Sequence, residues 1–510
     1  MLTMAMLHDA QRVLSGVINR TPVIPSTGIT DECRLFLKAD CLQKTGAFKL
    51  RGAYYKIATL SDEEKARGVI ACSAGNHAQG VAFAARDMGI HAVICIPQGA
   101  PLSKIEATRS YGAEVVLVPG VYDDAYAEAI RLRDEKGYTF IHPFDDYSIM
   151  AGQGTIGLEI LQQLPDVDMI VTAIGGGGLA ASVACWLKKF WPRIKVIGVE
   201  GIDQASMKTS IEQGRRVNLD YVDVFCDGTA VHIPGELTYP LCRELVDEFV
   251  TVTNNEVCQA IRAMWESSRV VPEPSGAMSL AGFLKQWNRG EVKPEEKSFV
   301  VISGANMDFT HLTQIARQAG IGNHETRYLR ISMDSKRGQV LKYLRHIPQD
   351  TTLVDVQYGK TEGNTQHPVF GIAASDEDLD TIRTTLKKKG IEFEDISEDD
   401  DVRFRMIHYQ PELCQHPLFV HIEFPERAGA FLDFMERIAD LASLCYFNYT
   451  YTGERVGRAL VGMEFDTAED RETIRKRMGA FSKNIIRSIR EISPEAFQRI
   501  MGSRQLTGNH

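Results

Sequence analysis

The sequence predicts an α/β fold with parallel-rich sheets over roughly its first 320 residues, followed by an α+β region made of two tandem copies of one unit. Three observations carry this. Strand-like and helix-like segments alternate from about residue 34 to residue 306. Several strands are continuous apolar blocks, such as Val69-Ile70-Ala71-Cys72, as parallel strands covered on both faces require. Beyond Gln318-Ala319-Gly320-Ile321-Gly322-Asn323 a pattern recurs at an offset of 91 residues, in Ile331/Ile422, Gly338/Gly429, Leu341/Leu432, Ile347/Ile438 and Tyr358/Tyr449.

Taken in order, Arg34-Leu35-Phe36-Leu37-Lys38-Ala39-Asp40 reads as a strand and residues 50–60 as a helix with an apolar stripe. Strands then follow at 68–72, 91–97, 114–119, 139–143, 169–174, 195–200, 248–253 and 299–303. Helices at 76–88, 103–111, 122–135, 151–164, 179–190, 255–269 and 275–287 lie between them. Ligands of such sheets bind beyond the C-terminal strand ends. In the C-terminal region, strands at 331–333 and 422–424 are each followed by a glycine and an amphipathic helix. Further strands at 368–373 and 459–465 and a charged helix complete two βαββαβ units. The acidic run Ser397-Glu398-Asp399-Asp400-Asp401 reads as a solvated linker. The expected domains are 1–322, 327–398 and 416–494, since 510 residues exceed what one core sustains.

Composition excludes several classes. A content of 44% hydrophobic and 24% charged residues describes a soluble globular chain. A net charge of −10 argues against nucleic acid or an acidic membrane as partner. The ten cysteines show no C-x-x-C and no metal-like spacing with histidine, and most lie in apolar runs, so reduced, buried thiols and a cytoplasmic location are expected. No basic-then-apolar leader and no run of 18 apolar residues occurs.

Four stretches stand at strand-to-helix junctions and carry candidate chemistry. In Lys44-Thr45-Gly46-Ala47-Phe48-Lys49-Leu50-Arg51-Gly52-Ala53, Lys49 opens a helix beside Phe48. A helix N-terminus and an apolar wall both lower an amine pKa, which suits imine formation, although a solvated surface lysine fits the stretch as well. Ile174-Gly175-Gly176-Gly177-Gly178-Leu179 brings backbone N–H groups to a helix start. Taken alone it fits three readings: a single phosphate, a tight turn, or a dinucleotide with Glu200 on the ribose. Ser73-Ala74-Gly75-Asn76-His77-Ala78-Gln79-Gly80 offers N–H donors for a carboxylate and an amide for a phenolic oxygen, or simply an N-cap. Val301-Ile302-Ser303-Gly304-Ala305-Asn306 ends the last strand. Glu200 and Asp227 could help hold a cation, but carboxylates at strand ends more often cap helices.

These stretches, with Gly152-Gln153-Gly154-Thr155, closely resemble threonine dehydratase (threonine deaminase), a fold-type II pyridoxal-phosphate family with a tryptophan synthase β-like catalytic region. Glu273-Pro274-Ser275-Gly276-Ala277 and the paired C-terminal units resemble the biosynthetic, isoleucine-inhibited branch, whose regulatory region has two ACT-like subdomains. The stretch Asp227-Gly228 through Gly235-Glu236-Leu237-Thr238-Tyr239 is closer to the catabolic branch, as is Thr45-Gly46-Ala47-Phe48. The resemblance implies that Lys49 is the Schiff-base lysine and general base and that Asn76 bonds the 3-oxygen of pyridoxal 5'-phosphate. It also implies that Gly175, Gly176, Gly177, Gly178 and Leu179 hold the phosphate, with Ser303 facing the pyridine nitrogen. Ser73, Ala74, Gly75, Asn76 and His77 would form the substrate-carboxylate loop, with Phe48 near the ring. No metal is implied.

The implied reaction is β-elimination of L-threonine, and of L-serine, to a keto acid (2-oxobutanoate from threonine) and ammonia, the first step of isoleucine biosynthesis. Isoleucine, opposed by valine, would act at the C-terminal units, where Tyr358 and Tyr449 are the candidate effector residues, and the allostery implies a homotetramer. A serine or aspartate racemase is the nearest rival. In those relatives a serine follows the Ser73 position, whereas this chain has Ala74, which has no proton to give. A dinucleotide oxidoreductase would leave Lys49, Asn76 and Ser303 unexplained, and a non-catalytic amino-acid sensor would leave Lys49 unused.

Overall fold

The computed structural model describes residues 2–322 apart from 27 and 31. Of the remainder it describes 326–334, 352–357, 365–367, 369–397, 399, 415–425, 430–450 and 456–500. The chain divides into two units, Met1–Ala319 and Gly320–His510.

The first unit holds two sheets. Its strands are β1 (Val23–Pro25), β2 (Arg34–Ala39), β3 (Val69–Cys72), β4 (Ala92–Pro97), β5 (Glu114–Val118), β6 (Thr139–Phe140), β7 (Met169–Ala173), β8 (Lys195–Gly201), β9 (Glu248–Val252) and β10 (Lys297–Ile302). The larger sheet runs β1-β2-β10-β7-β8-β9 and the smaller β5-β4-β3-β6. Every pairing is parallel except that of β1 with β2. β3, β7 and β10 are apolar blocks because both their faces are covered. One face of each sheet packs on a shared core with helices Lys49–Ala58, Asn76–Asp87, Tyr147–Gln163 and Gly178–Phe190. The opposite face of the larger sheet carries Asn254–Ser268 and Pro274–Asn288; that of the smaller carries Tyr122–Lys136.

The expected strands and long helices are present with shifts of a few residues at their ends. Helix Tyr147–Gln163 starts four residues before the expected 151, because the Asp146 side chain caps it by accepting from the N–H groups of Ser148 and Ile149. Helix Met4–Leu14, strand β1 and the short helices Asp62–Arg67, Ser206–Glu212 and Thr238–Leu245 were not expected.

In the second unit, β11 (Thr326–Ile331), β13 (Thr352–Gln357), β15 (Val369–Ala373) and β16 (Phe393–Asp395) form a sheet in the order β13-β15-β11-β16, with β12 (Met333–Asp334) and β14 (Thr365–Gln366) as a separate pair. β17 (Leu418–Pro425), β18 (Ser443–Thr450), β19 (Val456–Glu464) and β20 (Ser488–Glu491) repeat that order as β18-β19-β17-β20. Both sheets are antiparallel, and each has its own apolar core. The register slips between Leu353 and Asp355 in β13 and between Leu444 and Tyr446 in β18, positions 91 residues apart. The second copy is β17, helix Ala430–Ile438, β18, β19, helix Ala468–Gly479, β20, the expected βαββαβ. Gly338, Leu341, Ile347, Tyr358 and Gly429 lie outside the described residues, as does the side chain of Tyr449. The acidic run begins inside the fold rather than in solvent. Ser397 is buried, accepts from the N–H of Tyr328 and donates to Asp395 Oδ1.

Candidate active site

The C-terminal ends of β2, β3, β7 and β10 each lead into one of the four singled-out stretches. After β2 a turn at Gly46 (φ +70°) brings the chain to helix Lys49–Ala58. The turn is pinned to the end of β10. Phe48 N–H donates to the Ser303 carbonyl at 3.0 Å, Ala305 N–H to the Gly46 carbonyl at 2.9 Å, and Ala47 bridges Gly304. Lys49 is therefore the first helical residue, half-buried, with its Nζ 5.2 Å from the centre of the Phe48 ring. Nζ donates to the Pro143 carbonyl at 2.8 Å. Burial lowers its pKa from 10.5 to about 8, against the opposing pull of the Glu273 carboxylate.

Asn76 begins the helix after β3. Its Nδ2 donates to Glu273 Oε1 at 2.5 Å and its Oδ1 accepts from Asn306 Nδ2 at 2.7 Å. Asn306 also donates to the Thr45 carbonyl, so the lysine turn, the Asn76 loop and the end of β10 share one network. Ser73 Oγ closes its own loop by accepting from Gly75 N–H, and Ala74 is buried. The His77 ring turns away to the Ile141 carbonyl at 2.8 Å, and burial lowers its pKa to about 3. That leaves the main chain at His77, not the imidazole, to contribute to the loop. Ser303 is buried where β10 ends.

The glycine run opens helix Gly178–Phe190, with Gly177 at φ +92°. A Cβ at Gly176 would fall 2.3–2.4 Å from the Phe144 ring, and one at Gly175 2.9 Å from Thr229 Cα, so only glycine admits this close approach. Glu200 accepts from the N–H groups of Met207 and Lys208, capping helix Ser206–Glu212. Asp227 pairs with Lys104 at 2.6 Å. Both carboxylates are thus engaged by the protein, and Glu200 is turned away from a ribose role.

Four residues of this centre have no site role in the sequence analysis, Glu273 standing there only in a stretch that resembles the biosynthetic branch. Glu273 faces both Asn76 and Lys49. His142, Pro143 and Phe144 join the lysine to the glycine run, and a histidine-proline pair just past a strand was the available signal.

Residues 14–304 match the family of pyridoxal-phosphate dependent enzymes, and residues 414–487 match the C-terminal regulatory domain of threonine dehydratase. A biosynthetic L-threonine dehydratase of Haemophilus influenzae is 37% identical over 86% of this chain and 86% of its own length. The processed form of threonine deaminase isoform 2 from Solanum lycopersicum superposes with a TM-score of 0.61 at 39% identity, covering 62% of this chain and 88% of that one. Maize serine racemase does so with 0.58 at 34%, covering 63% and 98%. A half-buried amine joined through Pro143 and Phe144 to a glycine-lined helix start, in a chain that also carries the regulatory module, agrees with these likenesses: the chain belongs to the pyridoxal-phosphate-dependent threonine dehydratase family.

Proposed function

We propose that the chain removes water from L-threonine to leave an enamine that, after release, takes water up again and yields 2-oxobutanoate and ammonia, with L-serine as a second substrate, in the first step of isoleucine biosynthesis. The observation that carries this is the half-buried amine of Lys49, held on the Pro143 carbonyl at the start of its helix with its pKa lowered to about 8. With its pKa near 8, about one amine in ten is neutral at pH 7, against fewer than one in a thousand for a solvated lysine.

The residues present fit the cofactor. The N–H groups of Gly175 to Leu179 suit its phosphate, Asn76 its ring oxygen, Ser303 its ring nitrogen, and Lys49 its aldehyde. When bound, pyridoxal phosphate supplies the electron sink for breaking the Cα–H bond. The protein supplies the rest. The neutral Lys49 amine takes the Cα proton, while the Ser73–Asn76 loop holds the substrate carboxylate on backbone donors. A hydroxyl at Ser303 does not keep a ring nitrogen protonated as a carboxylate would, which favours expulsion of the β-hydroxyl over a lingering carbanion. Ala74, buried and without an acidic proton, offers no second acid for racemisation.

Isoleucine is proposed to bind the C-terminal units and lower activity, with valine opposing it, through the region of Tyr358 and Tyr449. A homotetramer would transmit the signal. Among the described residues no helix is long and apolar enough to cross a membrane, and eight described cysteines are in no disulfide; a cytoplasmic enzyme is the reading we assign.

Purified protein should show a visible band quenched by borohydride and convert L-threonine to keto acid. Lys49→Ala should lose both. Undiminished ammonia release by that variant, or D-amino acid formed as fast as keto acid by the parent, refutes the assignment.

A further inference from the structure

His142 lies two residues past β6, outside every motif of the family resemblance, and its ring sits at the centre of a clip. Its Nδ1 accepts from the N–H of Phe144 at 3.2 Å and of Asp145 at 2.8 Å. Backbone N–H groups only donate, so Nδ1 carries no proton and the neutral ring is the Nε2-H tautomer. These two bonds fix the turn His142-Pro143-Phe144-Asp145, and each remaining member of the turn grips part of the active centre. The Pro143 carbonyl accepts from Lys49 Nζ at 2.8 Å. The Phe144 ring lies against Gly176, so close that a Cβ there would overlap it. The Asp145 carboxylate accepts from the N–H groups of Glu236, Leu237 and Thr238 at 2.8–3.2 Å. Thr238 Oγ1 in turn donates to the Gly176 carbonyl at 2.5 Å. One imidazole nitrogen therefore orients both the group that holds the amine and the groups that buttress the glycine run.

We infer that His142 is a positioning residue of the reaction: through its Nδ1 it holds the Pro143 carbonyl where the free Lys49 amine rests, and it locks that amine in register with the glycine-rich loop. The inference rests on the reading of Lys49 and the glycine run given above. The charged and titratable groups facing His142 are Asp145 and Asp146 on its own turn, Lys49 on helix Lys49–Ala58 and His77 on helix Asn76–Asp87. Burial keeps the ring in its accepting, neutral form down to about pH 4.

The test uses the geometric difference between two amides. An asparagine oxygen reaches the place of Nδ1, and a glutamine oxygen reaches that of Nε2. With the full chain, His142→Asn should keep kcat on L-threonine and the Kd for pyridoxal phosphate, measured by titrating cofactor-free protein, within about threefold of the parent. His142→Gln should lower kcat by about tenfold or more, leave KM within about twofold, and weaken cofactor binding by a similar factor. Equal behaviour of the two variants overturns the inference, as does a difference that merely follows their melting temperatures. Failure of the underlying reading would look different, because the parent would then lack the visible band altogether.

Discussion

An ammonium partly stripped of water destabilises its own fold, and at Lys49 the sign of that effect can be followed with pH. The unfolded chain holds this proton up to about pH 10.5 and the folded chain only to about 8, so the penalty is complete below pH 8 and fades as pH rises toward 10.5. The difference corresponds to about 3 kcal/mol, an upper figure because the bond to the Pro143 carbonyl offsets part of it. Cofactor-free Lys49→Met should accordingly melt higher than the cofactor-free parent at pH 7, with the gap closing between pH 8 and pH 10. Calorimetry of the two across that range checks it, and a gap that widens with pH contradicts it. Lys49 and Asn76 were legible in the sequence because each stands at a strand-to-helix junction, where local chemistry shows. Glu273 and His142 were not. Glu273 meets Asn76 across 197 residues, and the Pro143 carbonyl that the local bonds of His142 fix meets Lys49 across 94, and no local pattern encodes such a meeting.

The helix that carries Lys49 is placed by what it crosses. Helices Lys49–Ala58 and Tyr147–Gln163 approach at Gly52 and Gly152, where a Cβ on Gly152 would lie 2.4 Å from the Arg51 carbonyl oxygen and 2.6 Å from Gly52 Cα. Beneath the crossing, Arg51 is wholly buried and pairs with Asp40 and Glu159, each at 2.6 Å, while Lys38 shares Glu159. Such a network contributes little net stability when whole but costs heavily when one partner is removed, so it fixes the crossing more than it strengthens it. Gly152→Ala forces two backbones apart and should cost about 1–3 kcal/mol, with a lower kcat, since Lys49 opens the displaced helix. Denaturant unfolding and steady-state kinetics read the two effects, and an unchanged midpoint would contradict the packing account. At this scale the sequence was informative about long, strongly patterned elements and silent about Ser206–Glu212 and Thr238–Leu245. Those helices are too short for a 3.6-residue period to declare itself. The motif Gly152-Gln153-Gly154-Thr155 was visible as a resemblance, but its physical meaning, two glycines at close contacts and Thr155 Oγ1 accepting from Arg51, required the fold.

At the scale of the whole molecule, the two units close their own cores, and each is intelligible alone. Removing residues 325–510 should therefore leave threonine turnover within about a few-fold of the parent while abolishing its response to isoleucine, a coupling of ordinary allosteric size. Inhibition that survives the truncation would place the effector elsewhere. The offset of 91 residues disclosed the duplication from sequence, but not the strand order common to β13-β15-β11-β16 and β18-β19-β17-β20, since order in a sheet depends on long-range pairing. One detail of that pairing dates the event. The slipped register in β13 reappears at the matching place in β18, and an irregularity of that kind has no reason to arise twice at the same address. A matching kink is what end-to-end copying of an already folded unit would leave behind.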